Sequence, residues 1–350
     1  MIVKTFCARM DHGGCGILVH VENGKIIKIE GDPDSPLNRG TLCAKGVAQI
    51  ERLNHPDRLR YPMIRIGERG EGKWKRISWD EALDRMVTKM KETIERDGQR
   101  AISFVQGTPK GLELYLMIRL ANLLNVPNIA TPGNICHMPR ETASNLTCGF
   151  FPVPDYDHPP SLVLVWGSNL FHTNEEGILG IQLKRAIDQG AKLIVIDPRK
   201  SPAASKADLW LKPKPGTDLA LALGMLRVMV DEDLYEKHFV ENWTTGFPEL
   251  IEHLKDYSLD RVSEITWISK KEILETTQLF SKTKPACIQW GNALEHNPHS
   301  VQCARALLIL MAISGNLEVP GGNVNRAGPP LMKPGELVQS KSFQTKEKKS

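Results

Sequence analysis

No apolar run in this chain approaches the about 18 residues that a membrane-spanning helix requires, so no membrane span is expected. The first residues hold neither an apolar leader nor a twin arginine, and the expected location is the cytoplasm. Neither Gly-x-Gly-x-x-Gly nor Gly-x4-Gly-Lys-Ser/Thr occurs, which argues against a nicotinamide fingerprint and a phosphate-cradling P-loop. Charge of one sign is scarce: a net +4, evenly spread, is too little to imply a nucleic-acid partner. Internal repeats are also missing. Aromatic residues make up only 6% of the chain.

What is present suits an ordinary globular protein. The 350 residues, 41% apolar and 25% charged, can build two or three domains around sizeable cores. Residues 16–31 read as a β-hairpin, two alternating runs flanking Asn23-Gly24. A helix is expected from Ser78, which with Glu81 forms a capping-box signature, and Leu83, Met86, Val87, Met90 and Ile94 share one face. Continuous apolar runs at 101–105, 162–166, 192–196 and 286–290 then alternate with amphipathic helices. That alternation predicts α/β architecture with parallel sheets covered on both faces. Beyond Gly322 the pattern dissolves, and the lysine-rich end reads as a solvated polar tail.

Seven cysteines, an odd number, fit metal binding better than disulfides in a cytoplasmic chain. Three of them, Cys7, Cys15 and Cys43, crowd into the first 43 residues as Cys-x7-Cys-x27-Cys. Thiolates on tight loops suit an iron–sulfur cluster, which needs about four soft ligands. Gly13, Gly14 and Gly16 let the backbone bend near Cys15. Asp11 is the first candidate for the fourth ligand and His12 the second. Spacing alone leaves a structural zinc, or unligated thiols, as open readings.

Cys136 and His137 sit at an expected loop-to-helix junction, where a helix N-terminus favours a thiolate. By themselves they are a weak signal, and a buried structural cysteine beside a chance histidine is the more common reading. Cys148, Cys287 and Cys303 lie inside apolar segments and read as core. Three turns follow apolar strands: Gly167-Ser168-Asn169, Asp197-Pro-Arg199 and Gly216-Thr217-Asp218. Small residues at the C-terminal ends of parallel strands let backbone amides approach phosphates. Each turn also has a purely structural reading.

The stretch Arg9 to Gly16, the hairpin after it, and Gly40-Thr-Leu-Cys-Ala-Lys-Gly46 resemble the [4Fe–4S] region of the molybdopterin oxidoreductases. That family includes formate dehydrogenases, nitrate reductases and polysulfide reductases. The resemblance implies a [4Fe–4S] cluster and a bis-molybdopterin guanine dinucleotide (bis-MGD) cofactor carrying Mo or W. It implies Cys136 as metal ligand, His137 in proton transfer, Lys45 between cluster and pterin, and Arg305 where formate dehydrogenases carry a substrate arginine. Asp197, Arg199 and Asp218 would contact one dinucleotide arm, with Gly167, Ser168, Asn169, Gly216 and Thr217 near it. This chain departs from the family's four-cysteine pattern at the second cysteine. Aligned back from Cys15, Asp11 takes its place; aligned forward from Cys7, Met10 does, and Asp11 then matches an aspartate assigned to catalysis in acetylene hydratase.

The implied organisation is a β-rich iron–sulfur domain (1–60), a partial α/β domain (61–132 with 310–330), an α/β pterin-dinucleotide domain (133–309) and a polar tail (331–350). A small-molecule substrate is implied. So is a partner chain that supplies the family's C-terminal domains or carries electrons. Formate-dehydrogenase-like or sulfur-compound-reductase-like redox chemistry is expected first. An acetylene-hydratase-like lyase, a non-catalytic cluster subunit and a truncated fragment are the alternatives.

Overall fold

The computed structural model describes residues 1–7, 14–107, 113–131, 133, 136–173 and 178–325. Met10, Asp11, His12 and the 331–350 tail, all invoked by the sequence, lie outside the described residues. The described chain forms two compact units, 1–131 and 133–325.

The first unit opens with an antiparallel sheet, β1 (Ile2–Phe6), β2 (Gly16–Glu22) and β3 (Lys25–Gly31), in that order across the sheet. The expected hairpin is β2–β3. Asn23 (φ 49°) and Gly24 (φ 74°) supply the two left-handed residues that a tight turn of matching twist requires. Strand β1 had no legible pattern, because all five of its residues are exposed. Beneath β2, the inward-facing Ile17 and Val19 share a small core with Cys7 and Cys15. Two short helices follow, α1 (Ala44–Val47) and α2 (Gln49–Asn54), then a hairpin of β4 (Met63–Arg65) and β5 (Trp74–Arg76).

Helix α3 (Trp79–Asp97) starts where its capping signature places it: Ser78 Oγ accepts from the Glu81 amide at 3.0 Å. Strand β6 (Ser103–Val105), helix α4 (Glu113–Leu123) and strand β7 (Asn128–Ala130) complete the unit, with β6 and β7 paired in parallel. Among the described residues nothing covers the apolar stripe of α3: Leu83, Met86 and Val87 are 51%, 60% and 49% exposed.

The second unit begins with helix α5 (Met138–Thr147), strand β8 (Pro152–Pro154) and strand β9 (Leu162–Trp166). It continues through α6 (Leu170–Thr173), α7 (Leu179–Asp188), β10 (Lys192–Ile196), β11 (Leu209–Leu211) and α8 (Asp218–Asp231). Four helices come next, α9 (Lys237–Trp243), α10 (Phe247–Leu254), α11 (Leu259–Thr266) and α12 (Lys270–Lys282). Strand β12 (Ala286–Trp290), helix α13 (Ser300–Ile313) and strand β13 (Asn323–Asn325) close it. The main sheet is wholly parallel, in the order β11-β10-β9-β12. Leu162, Leu164, Trp166, Ile194, Ile196, Ile288 and Trp290 pack into one core, while Val163, Val165, Leu193, Val195 and Cys287 pack into another. Burial on both faces explains why these strands read as unbroken apolar runs.

Residues 310–325, which the sequence reading grouped with 61–132, pack within the second unit. The reason is the open edge of β12. Asn316 Oδ1 accepts from the Ala286 amide at 2.9 Å, and Asn323 accepts from the Ile288 amide at 2.8 Å and donates to its carbonyl at 3.0 Å. Two buried amides thus satisfy an edge that would otherwise leave backbone groups unpaired.

Candidate functional site

Two sets of residues matter, one in each unit. In the first unit, Cys7 and Cys15 are buried and Cys43 half-buried, all within one small cluster. The Cys7 amide donates to the Cys15 carbonyl at 2.9 Å, which closes the loop between them. Burial raises the Cys15 thiol above its usual range, and the neighbouring Cys7 and Cys43 raise it further. The three thiols share one small core beneath the sheet. Asn38, which the sequence reading did not single out, does much of the gathering. Its buried amide accepts from Gly16 N at 2.8 Å and donates to the carbonyls of Gly16 at 3.0 Å and Thr41 at 2.6 Å. The segment after Cys15 is thereby tied to the turn that leads into Cys43. A Cβ on Gly31 would stand 2.4 Å from the Gly40 carbonyl oxygen, so the same turn needs glycine where it crosses β3.

Three soft sulfur donors on adjacent loops are the donor chemistry an iron–sulfur cluster uses. Among the described residues, however, no group of three or more His, Cys, Asp or Glu side chains is closed into a metal-holding set. Asp11 lies outside the described residues. Lys45 is half-buried in α1, two positions after Cys43.

The second set follows from strand order. In chain order the sheet runs 3-2-1-4, so the connections reverse direction between β9 and β12 and open a crevice at their C-terminal ends, the usual ligand position of such sheets. Gly167 and Gly291 stand at those two ends. Gly167 adopts φ 57°. A Cβ on Gly291 would lie 2.4 Å from the Gly167 carbonyl oxygen and 2.9 Å from Ser168 Cα, so the two loops touch backbone to backbone. Ser168 and Asn169 are half-buried beside them.

Next along the sheet edge, buried Asp197 accepts from the Arg199 amide at 2.8 Å, while the Arg199 guanidinium is exposed. Thr217 and Gly216 (φ 83°) form the turn into α8. Asp218, the first residue of α8, accepts from Trp166 Nε1 at 2.8 Å. Burial raises the Asp218 carboxyl, the indole hydrogen bond opposes that, and the charge of Asp197 adds to it. The sequence-predicted turns thus meet along one sheet edge.

Cys136 reaches the same crevice. Asn292 Nδ2, just beyond β12, donates to Cys136 Sγ at 3.5 Å. Arg140 on α5 donates to Asn292 Oδ1 at 3.0 Å and forms an ion pair with Glu295, whose side chain is fully buried. Arg140, Asn292 and Glu295 carry no local sequence signal. The partners stand 152 and 155 positions apart. His137 precedes α5 as its N-cap, and its Nε2 lies 3.4 Å from Glu141 Oε1. Arg305 sits on the exposed face of α13 and donates to Gln302 Oε1 at 3.2 Å. Cys287 and Cys303 are core residues whose thiols burial pushes up, and burial lifts Cys148 to about 11.

A 3-2-1-4 parallel sheet with glycines at its reversal point is the architecture of the doubly wound α/β proteins, whose ligands sit at that point. The particular family is the molybdopterin oxidoreductases, to which the chain belongs. The family model "Molybdopterin oxidoreductase" matches residues 58–348, and "Molybdopterin oxidoreductase Fe4S4 domain" matches residues 1–55. Acetylene hydratase of Syntrophotalea acetylenica is 35% identical over 91% of this chain and 43% of its own length. Formate dehydrogenase H of Escherichia coli (strain K12) is 32% identical over 92% of this chain and 45% of its own. The solved structure of acetylene hydratase from Pelobacter acetylenicus superposes with a TM-score of 0.81 at 33% identity, covering 97% of this chain and 47% of that one. The chain thus spans a little under half the length of these relatives. Membership implies a [4Fe–4S] cluster and a molybdopterin cofactor with Mo or W, which the gathered thiols and the glycine-lined crevice fit by chemistry. Among the described residues no helix is long and apolar enough to cross a membrane.

Proposed function

We propose that this chain is the cluster- and ligand-bearing portion of a two-electron oxidoreductase acting on a small molecule, with formate-like or sulfur-compound chemistry. The observation that carries the reading is the hydrogen bond from Asn292 to Cys136, which sets a thiol at the reversal point of a dinucleotide-binding sheet. Cys136 Sγ is the protein ligand to Mo or W, a soft donor suited to a metal–dithiolene centre. When bound, that centre supplies the two-electron exchange with substrate. His137 moves a proton at Nε2, and Glu141 beside it is the acceptor that passes the proton towards solvent. Asp197, Asp218 and the Gly167–Asn169 turn hold one guanine dinucleotide arm of bis-MGD. Cys7, Cys15 and Cys43, with Asp11 as fourth ligand, hold the cluster, and Lys45 serves the electron path. The resemblance alone assigns Arg305 to substrate; its guanidinium is exposed on α13 and donates to Gln302.

The relatives' greater length supports a partner chain or further domain that completes the cofactor enclosure. The test is Cys136→Ser in the complete protein. Metal-edge X-ray absorption should lose one sulfur neighbour and turnover should fall by at least about 100-fold, the upper range for disturbing a metal site. An unchanged sulfur shell sinks the assignment.

A second reading is a non-redox hydratase, favoured by the 97% coverage on an acetylene hydratase structure. In it Asp11 activates substrate instead of holding the cluster. Asp11→Asn separates the two. Loss of the cluster's visible absorption marks ligation, whereas loss of acetylene hydration with absorption intact marks catalysis.

A further inference from the structure

The Arg140–Asn292–Glu295 group does something the ligand assignment alone does not require. Glu295 has no exposed side-chain surface and Arg140 only 11%, so both charges have left water. Buried ion pairs add little net stability once desolvation is counted, which directs attention to the geometry this pair fixes. The guanidinium is also held over the Trp290 ring, with Cζ 5.7 Å from its centroid. It can only donate hydrogen bonds. The Asn292 amide must therefore turn Oδ1 towards Arg140, where the distance is 3.0 Å, and Nδ2 is left facing Cys136 Sγ at 3.5 Å. The opposite rotamer would set two donors face to face. One buried ion pair thus fixes an N–H on one particular sulfur, and it does so by joining α5 to the loop beyond β12.

We propose that Asn292 is a positioning residue for Cys136: it aims the sulfur and draws charge from it by an N–H···S bond, with Arg140 and Glu295 locking the amide's orientation. The inference rests on the reading of Cys136 as metal ligand. Groups that orient a metal's ligands hold the metal and tune its electronics, and hydrogen bonds to sulfur shift the potentials of the centres it binds.

The experiment uses the complete protein, purified with its cofactor, as wild type, Asn292→Asp, Asn292→Ala and Cys136→Ser. Asn292→Asp keeps an acceptor towards Arg140 and removes the donor towards sulfur. The expected result is metal loss on dialysis against a chelator that is about 10–100-fold faster, the range for losing such a partner. The metal-edge absorption spectrum should shift while the sulfur count is unchanged. If Asn292→Asp fails to fold, Asn292→Ala is read in the same way. Wild-type metal retention and an unshifted spectrum in the folded variant overturn the inference. A change in thermal midpoint alone, with spectrum and retention unmoved, does so too. Cys136→Ser separates the layers: if it leaves the sulfur shell intact the ligand reading has failed, and if it removes one sulfur while Asn292→Asp changes nothing, only the positioning role has failed.

Discussion

Asp155 shows how a single residue in the second unit couples stability to pH. Its carboxylate is buried and accepts from His158 Nδ1 at 2.7 Å, the Gly321 amide at 3.2 Å and the Asp157 amide at 3.1 Å. Burial alone would raise its pKa. The hydrogen bonds from His158, Gly321 and Asp157 outweigh burial and hold it below the usual carboxylate range. A depressed folded value means that the ionised form is stabilised by folding. That contribution is complete above the unfolded aspartate value, about 3.9, and is lost as pH falls through the lower folded one. Asp155→Asn should therefore cost on the order of 1–3 kcal/mol at pH 7, the range for disturbing a buried hydrogen-bonded group. Urea unfolding at pH 7 and again near pH 3 checks this. The gap between wild type and variant should narrow in acid, and a pH-independent gap would mean that charge is not what Asp155 contributes.

At the scale of elements, legibility followed local pattern. Strands β9, β10 and β12 fall on the runs 162–166, 192–196 and 286–290 residue for residue, because each is apolar except for Lys192 and Gln289, and buried on both faces except at the exposed Lys192. The run at 101–105 yields only β6, since Gln99–Ala101 forms a 3-10 turn that delays the strand. Strands β1, β8 and β11 had no signal: the first is exposed, and the others are three residues long. The turns after β9 and β10 and before α8 could be placed at strand ends because glycine and aspartate mark them. Their convergence depends on the 3-2-1-4 order, which no local window contains. The same holds for Asn38, Arg140, Asn292 and Glu295. Each acts across 22 to 156 positions, and its residue type suits many roles until a partner is known. Resemblance carried Cys136 into the site; only folding could supply what holds it there.

At the scale of the whole molecule, the first unit carries an apolar surface with no cover among the described residues. Among the described residues, strands β6 and β7 form a two-stranded sheet, and a sheet that small has two outer edges to protect. Helix α3 contributes Trp79, Leu83, Met86 and Val87, and α4 contributes Leu116, Leu120 and Leu123, all at least 44% exposed. Exposed apolar side chains in such number mark an interaction surface or an aggregation liability where they form a patch. The relatives are about twice as long as this chain, and a longer or partnered protein would have polypeptide available to cover these helices. The 350-residue chain prepared by itself should therefore bind a hydrophobic dye in its native state and self-associate as concentration rises. Replacing Leu83, Met86 and Val87 together by Gln should abolish both, with the unfolding midpoint shifted by little, since exposed side chains contribute little burial. Sedimentation and dye fluorescence on the two proteins decide it. A monomeric, dye-silent wild-type chain would show that this face needs no partner, and would remove the physical support for a separate chain completing the first unit.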